Sequence, residues 1–363
     1  MEVRRLGIIG TGLIGASVGL AAKRAGVERV HGYDVSEDVA TAARQRGAID
    51  EVAITADDVL DLDLVVVAVP VIALRSVLRD ALDGVDDATV TDVGSTKANL
   101  AAALGDPRFV GGHPVTGSEA RGPAHATADL FDEATWFLTP TARTDPDRYR
   151  LVHGFVAALG ANPIAIDPEA HDRLAALTSH LPHALANLLV NQAGAARVEG
   201  HEPLSVAGGS LRDMTRVAGA NPRIWVDIFL ENTASLREIL AEHRRRVERL
   251  EAALEARDAG FIARWIGEAA ENRRRILETA FPDPGELHQL RVHVPDRPGV
   301  LAAITQALGA QRINIEDFEL HHVSPERGGT LTLLVTGGGQ AERAAALLES
   351  QGYGVVVSPV LSE

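Results

Sequence analysis

One histidine in this sequence stands where an imidazole can do proton chemistry. His113 lies within Gly111-Gly112-His113-Pro114-Val115-Thr116-Gly117-Ser118-Glu119, directly after Phe109-Val110. This order predicts a glycine-lined loop at the end of a short strand, and an imidazole there suits general base work because it titrates near the working pH. The bland alternative is a histidine that stabilises its own loop. Ser95 follows another strand-like run, Thr89 to Val93, so its hydroxyl either meets a substrate or caps the helix after it. His180 and His183 stand three apart, so one helical face presents both, with Pro182 disturbing the backbone hydrogen bonds between them. Three roles are open to this pair: structural histidines, substrate contacts, or metal ligands, the last without an HExxH pattern or a cysteine to support it. Arg212 and Arg216 stand four apart on one side of a predicted helix. They either fork a carboxylate in two-point contact or form surface ion pairs with Asp213 or Glu202.

The elements that must position these groups begin with a dinucleotide fingerprint. Leu6 to Ile9 reads as a buried strand, followed at once by Gly10-Thr11-Gly12-Leu13-Ile14-Gly15 and a helical pattern through Leu20. Gly10 permits the tight turn, Gly12 lets backbone approach a pyrophosphate, and Gly15 lets helix and strand pack closely, while Leu13 and Ile14 open the helix whose N-terminus holds the phosphates. A second strand, Arg29 to Tyr33, ends in Asp34, placed to bond the ribose hydroxyls and to repel a 2′-phosphate, which favours NAD over NADP. The alternative for Asp34 is a cap on the following helix. Strands at Leu62–Val69, Thr89–Val93, Phe109–Val110, Trp136–Thr139 and Pro163–Ile166 continue a Rossmann-like α/β domain over residues 1–167. Ligands in such sheets sit beyond the carboxyl ends of the strands, where Ser95 and His113 both lie.

From about Pro168 the period becomes helical, and an all-helical middle domain is predicted over 168–284. The run Ile224 to Leu230 opens a long helix, and Leu236, Leu240, Val247, Leu250 and Leu254 make an amphipathic stripe that predicts a homodimer. Phe281-Pro282-Asp283-Pro284-Gly285 reads as a linker. Residues 286–363 alternate again: strands at Leu290–Val294, Ile313–Phe318, Thr330–Val335 and Gly354–Val357, with helices after Gly299 and over Ala341–Leu348. That order, βαββαβ, is ferredoxin-like.

With 50 acidic and 35 basic residues among 363, the net charge is −15, so no basic surface points to nucleic acid or an anionic membrane. An anionic substrate must be met by local arginine or histidine. The absence of cysteine excludes thiolate catalysis and disulfides. With no apolar stretch long enough to span a bilayer and no signal-like N-terminus, the protein reads as cytoplasmic.

Taken together, GxGLIGxS at Gly10–Ser17, DVGSTK at Asp92–Lys97, GGHPVTGSE at Gly111–Glu119, SHLPH at Ser179–His183 and RDMTRVAGANPRIW at Arg212–Trp225 resemble the prephenate dehydrogenase family. The stretch Asp296–Ile304 with Asn314-Ile315 is similar to an ACT domain signature. The resemblance covers essentially all of the chain. It implies NAD-dependent oxidative decarboxylation of prephenate, with His113 as base, Ser95 bonded to the substrate hydroxyl and to His113, and Arg216 and His183 on substrate carboxylates. It also implies Glu119 and His180 lining the site, Asp172 and Arg212 as a gating ion pair, no metal, and an amino-acid effector such as tyrosine near Asp296, Pro298, Gly299, Asn314 and Ile315. Two other readings stand beside it: arogenate dehydrogenase, and a catalytically silent NAD-binding amino-acid sensor.

Overall fold

Leu6, Ile8 and Ile9 are almost fully buried in β1 (Arg5–Ile9), because this strand lies in the interior of a sheet covered on both faces. A computed structural model of the chain describes residues 3–60, 62–116, 120–281, 284–324 and 328–360. The first sheet adds β2 (Arg29–Tyr33), β3 (Glu51–Val52), β4 (Leu64–Val67), β5 (Thr89–Asp92), β6 (Phe109–Pro114), β7 (Thr135–Thr139) and β8 (Asn162–Ala165). Its order is β3-β2-β1-β4-β5-β6-β7-β8, parallel except where β6 meets β7. The order reverses between β1 and β4, the switch point at which such sheets bind ligands. Helices α1 (Leu13–Arg24), α2 (Glu37–Gln45), α3 (Val71–Gly84), α4 (Ala98–Leu104) and α5 (Pro146–Ala158) cover the faces. Alternate residues of β4 feed two cores: Leu64 and Val66 pack with Leu6, Ile8 and Val30, whereas Val65 and Val67 pack with Leu74 and Leu78 of α3.

The helical segment comprises α6 (Pro168–Ala175), one π-helical turn over Ala176–His180, α7 (Leu181–Ala195), α8 (Gly209–Thr215), α9 (Pro222–Glu231), α10 (Thr233–Glu255) and α11 (Ala259–Ala280). Pro182, in the first turn of α7, lacks the N–H that a regular ladder would use, and the wide turn sits directly before it. Two expectations need correction here. The Ile224–Leu230 run does not open the long helix, because α9 stops at Asn232, whose side chain turns inward. Arg216 is not on the helix of Arg212: it starts a 3₁₀ turn, Arg216–Gly219, after α8 ends.

The chain divides into two compact units, Met1–Arg245 and Arg246–Glu363. The second carries β9 (Leu287–Val294), α12 (Val300–Ala310), β10 (Asp317–Ser324), β11 (Gly328–Thr336), α13 (Gly338–Ser350) and β12 (Gly354–Pro359). The antiparallel order β10-β11-β9-β12 is the ferredoxin-like βαββαβ arrangement over one apolar core. The second strand of this sheet begins at Asp317, so Asn314 and Ile315 precede it instead of lying within it. Among the described residues, no helix is long and apolar enough to cross a membrane.

The glycine turn makes a direct demand on side-chain size. Gly10 has φ +94°, and a Cβ on Gly15 would overlap the Gly10 carbonyl oxygen. Gly15→Ala therefore costs about 1–3 kcal/mol and weakens dinucleotide binding. Thermal unfolding and a cofactor titration check this, and wild-type values in both would refute the close-packing account.

Candidate active site

Asp34 ends β2 and reaches back over the glycine turn. Its Oδ2 accepts the Thr11 N–H (2.8 Å) and its Oδ1 the Ser36 N–H (3.0 Å), and it does not cap α2, whose first residue is Glu37. The carboxylate is thus fixed beside the N-terminus of α1, where no acidic side chain competes in the first turn. A Cβ on Gly12 would meet nothing within 4 Å, so the backbone there is open to a ligand. These residues fit NAD: amide groups at the start of α1 for the pyrophosphate, and a carboxylate for the ribose hydroxyls.

The ends of β5 and β6 are bound together by one buried acid. Asp92 Oδ2 accepts the Gly94 N–H (2.8 Å) and pairs with the Lys97 ammonium, while its Oδ1 accepts the Gly112 N–H (3.1 Å). Burial pushes the Lys97 amine down, opposed by Asp92 and Asp172. This clasp sets the turn that carries Ser95 against the strand that carries His113. The Ser95 hydroxyl oxygen is buried and has no hydrogen-bond partner among the described residues, so it neither bonds His113, as the resemblance implies, nor caps α4. A buried hydroxyl left in this way is suited to a substrate group.

His113 is in strand, not loop: β6 continues through Pro114 by pairing with β7, with His113 opposite Phe137. The expected glycine-lined loop is corrected by that antiparallel partner. His113 Nδ1 lies 2.8 Å from His171 Nε2, and His171 Nδ1 lies 2.8 Å from Asp172 Oδ1. The His113 imidazole is held well below its ordinary pKa, first by burial, then by His171, Lys97 and His180, so it is neutral at pH 7. Its Nε2 makes no hydrogen bond among the described residues. Sequence reasoning did not single out His171, which the 2.8 Å contact places beside His113.

Asp172 does not pair with Arg212. It is 2% exposed, and its oxygens accept from Lys97 N (2.8 Å), Ala98 N (2.9 Å) and the His171 ring. A carboxylate so engaged is an anchor and not a gate. Asn232 Nδ2 donates to the Asp172 carbonyl (2.7 Å) and lies 3.2 Å from His180 Nδ1. His180 is buried, whereas His183 is half-buried, stacks on Trp225 at 3.5 Å between ring centroids, and donates from Nδ1 to the Ser179 carbonyl (3.0 Å). His183 is also pushed down, chiefly by burial, with Arg216 near enough to add to the effect. Arg216 itself has no ion-pair partner among the described residues, unlike a guanidinium in a surface salt bridge. Glu119 lies outside the described residues. Among those described, no cluster of three His, Asp or Glu side chains is placed to hold a metal ion.

The His180 imidazole is pushed down to about 4, mainly by burial and against the pull of Asp172. Because its folded pKa lies below the ordinary 6.5, its contribution is complete above about pH 6.5 and is lost as pH falls toward 4. Stability therefore drops by about 2 kcal/mol from this group between pH 7 and 5. Urea midpoints at the two pH values measure it; an equally steep loss in His180→Gln would assign the effect elsewhere.

Comparison with known proteins places these features. The prephenate dehydrogenase nucleotide-binding domain model matches residues 18–165, its dimerization domain model residues 167–268, and the ACT domain model residues 288–352. A prephenate dehydrogenase of Bacillus subtilis is 32% identical over 358 residues, 95% of each chain. The structure of Aquifex aeolicus prephenate dehydrogenase, in complex with hydroxyphenyl propionate and NAD+, matches with TM-score 0.72 and 30% identity, over 76% of this chain and 99% of that one. Synechocystis arogenate dehydrogenase matches with TM-score 0.69 and 26% identity, over 75% of this chain and 99% of that one. With a Rossmann-like domain, a helical segment contributing His180, His183 and Arg216, and a relative similar along almost its whole length, this chain belongs to the prephenate dehydrogenase family of oxidoreductases.

Proposed function

We propose that the protein catalyses NAD-dependent oxidative decarboxylation of prephenate to 4-hydroxyphenylpyruvate and carbon dioxide in tyrosine biosynthesis. The observation that carries this reading is His113: a neutral imidazole whose Nδ1 is tied to His171, leaving Nε2 as the basic atom. NAD, when bound at Gly10–Gly15 and Asp34, supplies the hydride acceptor. His113 Nε2 takes the ring hydroxyl proton as hydride leaves the same carbon, and the Ser95 hydroxyl bonds that oxygen. Loss of carbon dioxide makes the ring aromatic and drives the reaction, so a positioned base suffices. Prephenate carries two carboxylates, and in an acidic protein they need local donors: Arg216 with its fork, and His183 held on Trp225. His180 and Glu119 belong to the same site in this reading.

Prephenate is preferred to arogenate because the sequence places no assignable acid for an ammonium group. The protein works as a homodimer through its helical segment, where Trp265, Ile266 and Ile276 of α11 are exposed as apolar side chains. His113→Asn retains NAD affinity and loses turnover by about 10²-fold or more, whereas Arg216→Ala chiefly raises KM. Steady-state kinetics with a cofactor titration reads both, and near-wild-type turnover in His113→Asn would remove the base.

The C-terminal domain senses an amino acid, tyrosine being the end product that fits feedback. A cleft of about 380 Å³ is lined by Asp296, Arg297, Pro298, Gly299, Leu301 and Leu320, with the N-terminus of α12 behind Gly299 at φ 89°. Asn314 and Ile315 do not line it: Asn314 bonds Glu316 (3.0 Å), and Ile315 packs on the core. Tyrosine titrated into the full-length protein shifts the amide resonances of Asp296, Arg297 and Gly299 to Leu301 while activity falls. Inhibition without those shifts would put tyrosine in the active site instead.

A further inference from the structure

Two contacts of 2.8 Å join Asp172, His171 and His113 in one chain of side chains. Asp172 accepts the N–H groups of Lys97 and Ala98, so it meets His171 as an acceptor, and His171 donates from Nδ1 across 2.8 Å. With His113 as the base, the Nε2 of His171, 2.8 Å from His113 Nδ1, is the acceptor of that contact. His113 therefore holds its own proton on Nδ1 and its lone pair on Nε2. His171 is 1% exposed, with Phe137 edge-on to its ring at 5.5 Å, and its two ring nitrogens are both engaged, by Asp172 and His113.

We propose that His171, anchored by Asp172, is the positioning residue of the reaction: it fixes the His113 tautomer and takes up the Nδ1 proton when Nε2 accepts one from substrate. This rests on the reading of His113 as the base. The hydroxyl O–H bond breaks as an Nε2–H bond forms on His113, and the Nδ1–H bond of His113 breaks as an Nε2–H bond forms on His171. Hydride leaves the hydroxyl-bearing carbon with its electron pair, and the pair of the departing carboxylate's C–C bond enters the ring. The resulting phenolate oxygen regains the proton by the reverse path. A dianionic substrate and NAD+ thus give a monoanionic product, carbon dioxide and NADH, with no net release of a proton.

A reaction with that balance needs a place to hold one proton and give it back, not a route to solvent. Held on His113, the charge would face Lys97 and His180 as well as His171 in a buried site. Moved to His171, it lies against the Asp172 carboxylate, 2.8 Å from the ring. The chain of three side chains matches the proton inventory of the reaction; orientation of a catalytic imidazole by its second partner is general, and uptake of the proton is what His171 adds.

The test uses the full-length protein. His171→Leu lowers kcat about 10²-fold with KM and NAD affinity little changed, and moves the acid limb of kcat/KM to lower pH, because the pair loses the nitrogen that binds a proton beside Asp172. His171→Gln, which offers an amide oxygen to His113 Nδ1–H but cannot take a proton, recovers only part of kcat. Nitrogen-15 spectra of histidine-labelled protein show His113 protonated on Nδ1 in the wild type and in His171→Gln. An Nε2–H tautomer in the wild type, wild-type kcat in His171→Gln, or an unmoved acid limb in a folded His171→Leu would each overturn the proposal. Activity surviving in His113→Asn would overturn the base itself. A dead His113→Asn beside a normal His171→Leu would overturn only the role of His171.

Discussion

Lys97 is the point to which the site is referred, because two buried acids converge on it by different atoms. Its ammonium pairs with Asp92, which also holds the N–H groups of Gly94 and Gly112, and its backbone N–H is held by Asp172. The first bond fixes two strand ends, and the second fixes α6 to the start of α4. A buried ion pair seldom adds net stability over an apolar pair of the same size, but losing one partner strands a charge at a cost of about 3–5 kcal/mol. Its value here is geometric: Ser95, His113 and His171 all sit within a residue or two of a group that this clasp holds.

The helical segment is attached to that clasp by polar bonds. Asn232 joins the Asp172 carbonyl to His180, so the end of α9 is tied to α6 and to the π-helical turn. That turn carries His180 inward, while His183, one turn on, lies half-buried on Trp225. The two imidazoles predicted to share a face thus do different work, one inside the network and one beside Arg216.

Most of the fold was legible because its signals are local. Buried parallel strands read as apolar runs, and the glycine fingerprint followed by Asp34 is contiguous enough to name a cofactor. The histidine strand was not legible. Gly111, Gly112 and Pro114 read as loop residues, and only the antiparallel partner β7, more than 20 residues later in the chain, extends β6 through them. His171 was missed for a related reason: it lies 58 residues from His113, with no spacing rule to connect them. Asp172 was assigned to a gating pair with Arg212 from the family resemblance alone, whereas its buried oxygens are taken up by Lys97, Ala98 and His171. A His-Asp dipeptide in the first turns of a helix was the signal available, and it becomes informative only when topology brings that helix to the strand ends.

In the proposed reading the chemistry follows from few parts: a dinucleotide site at one switch point, a neutral imidazole as base, and cationic or neutral donors for two carboxylates. The measurement that tests this most directly is NADH formation by the purified protein, followed at saturating NAD with prephenate and, separately, with arogenate. The account predicts turnover on prephenate with a kcat/KM well above that on arogenate, and one carbon dioxide for each NADH. Turnover confined to arogenate would contradict the substrate assignment, and none on either would contradict the catalytic one.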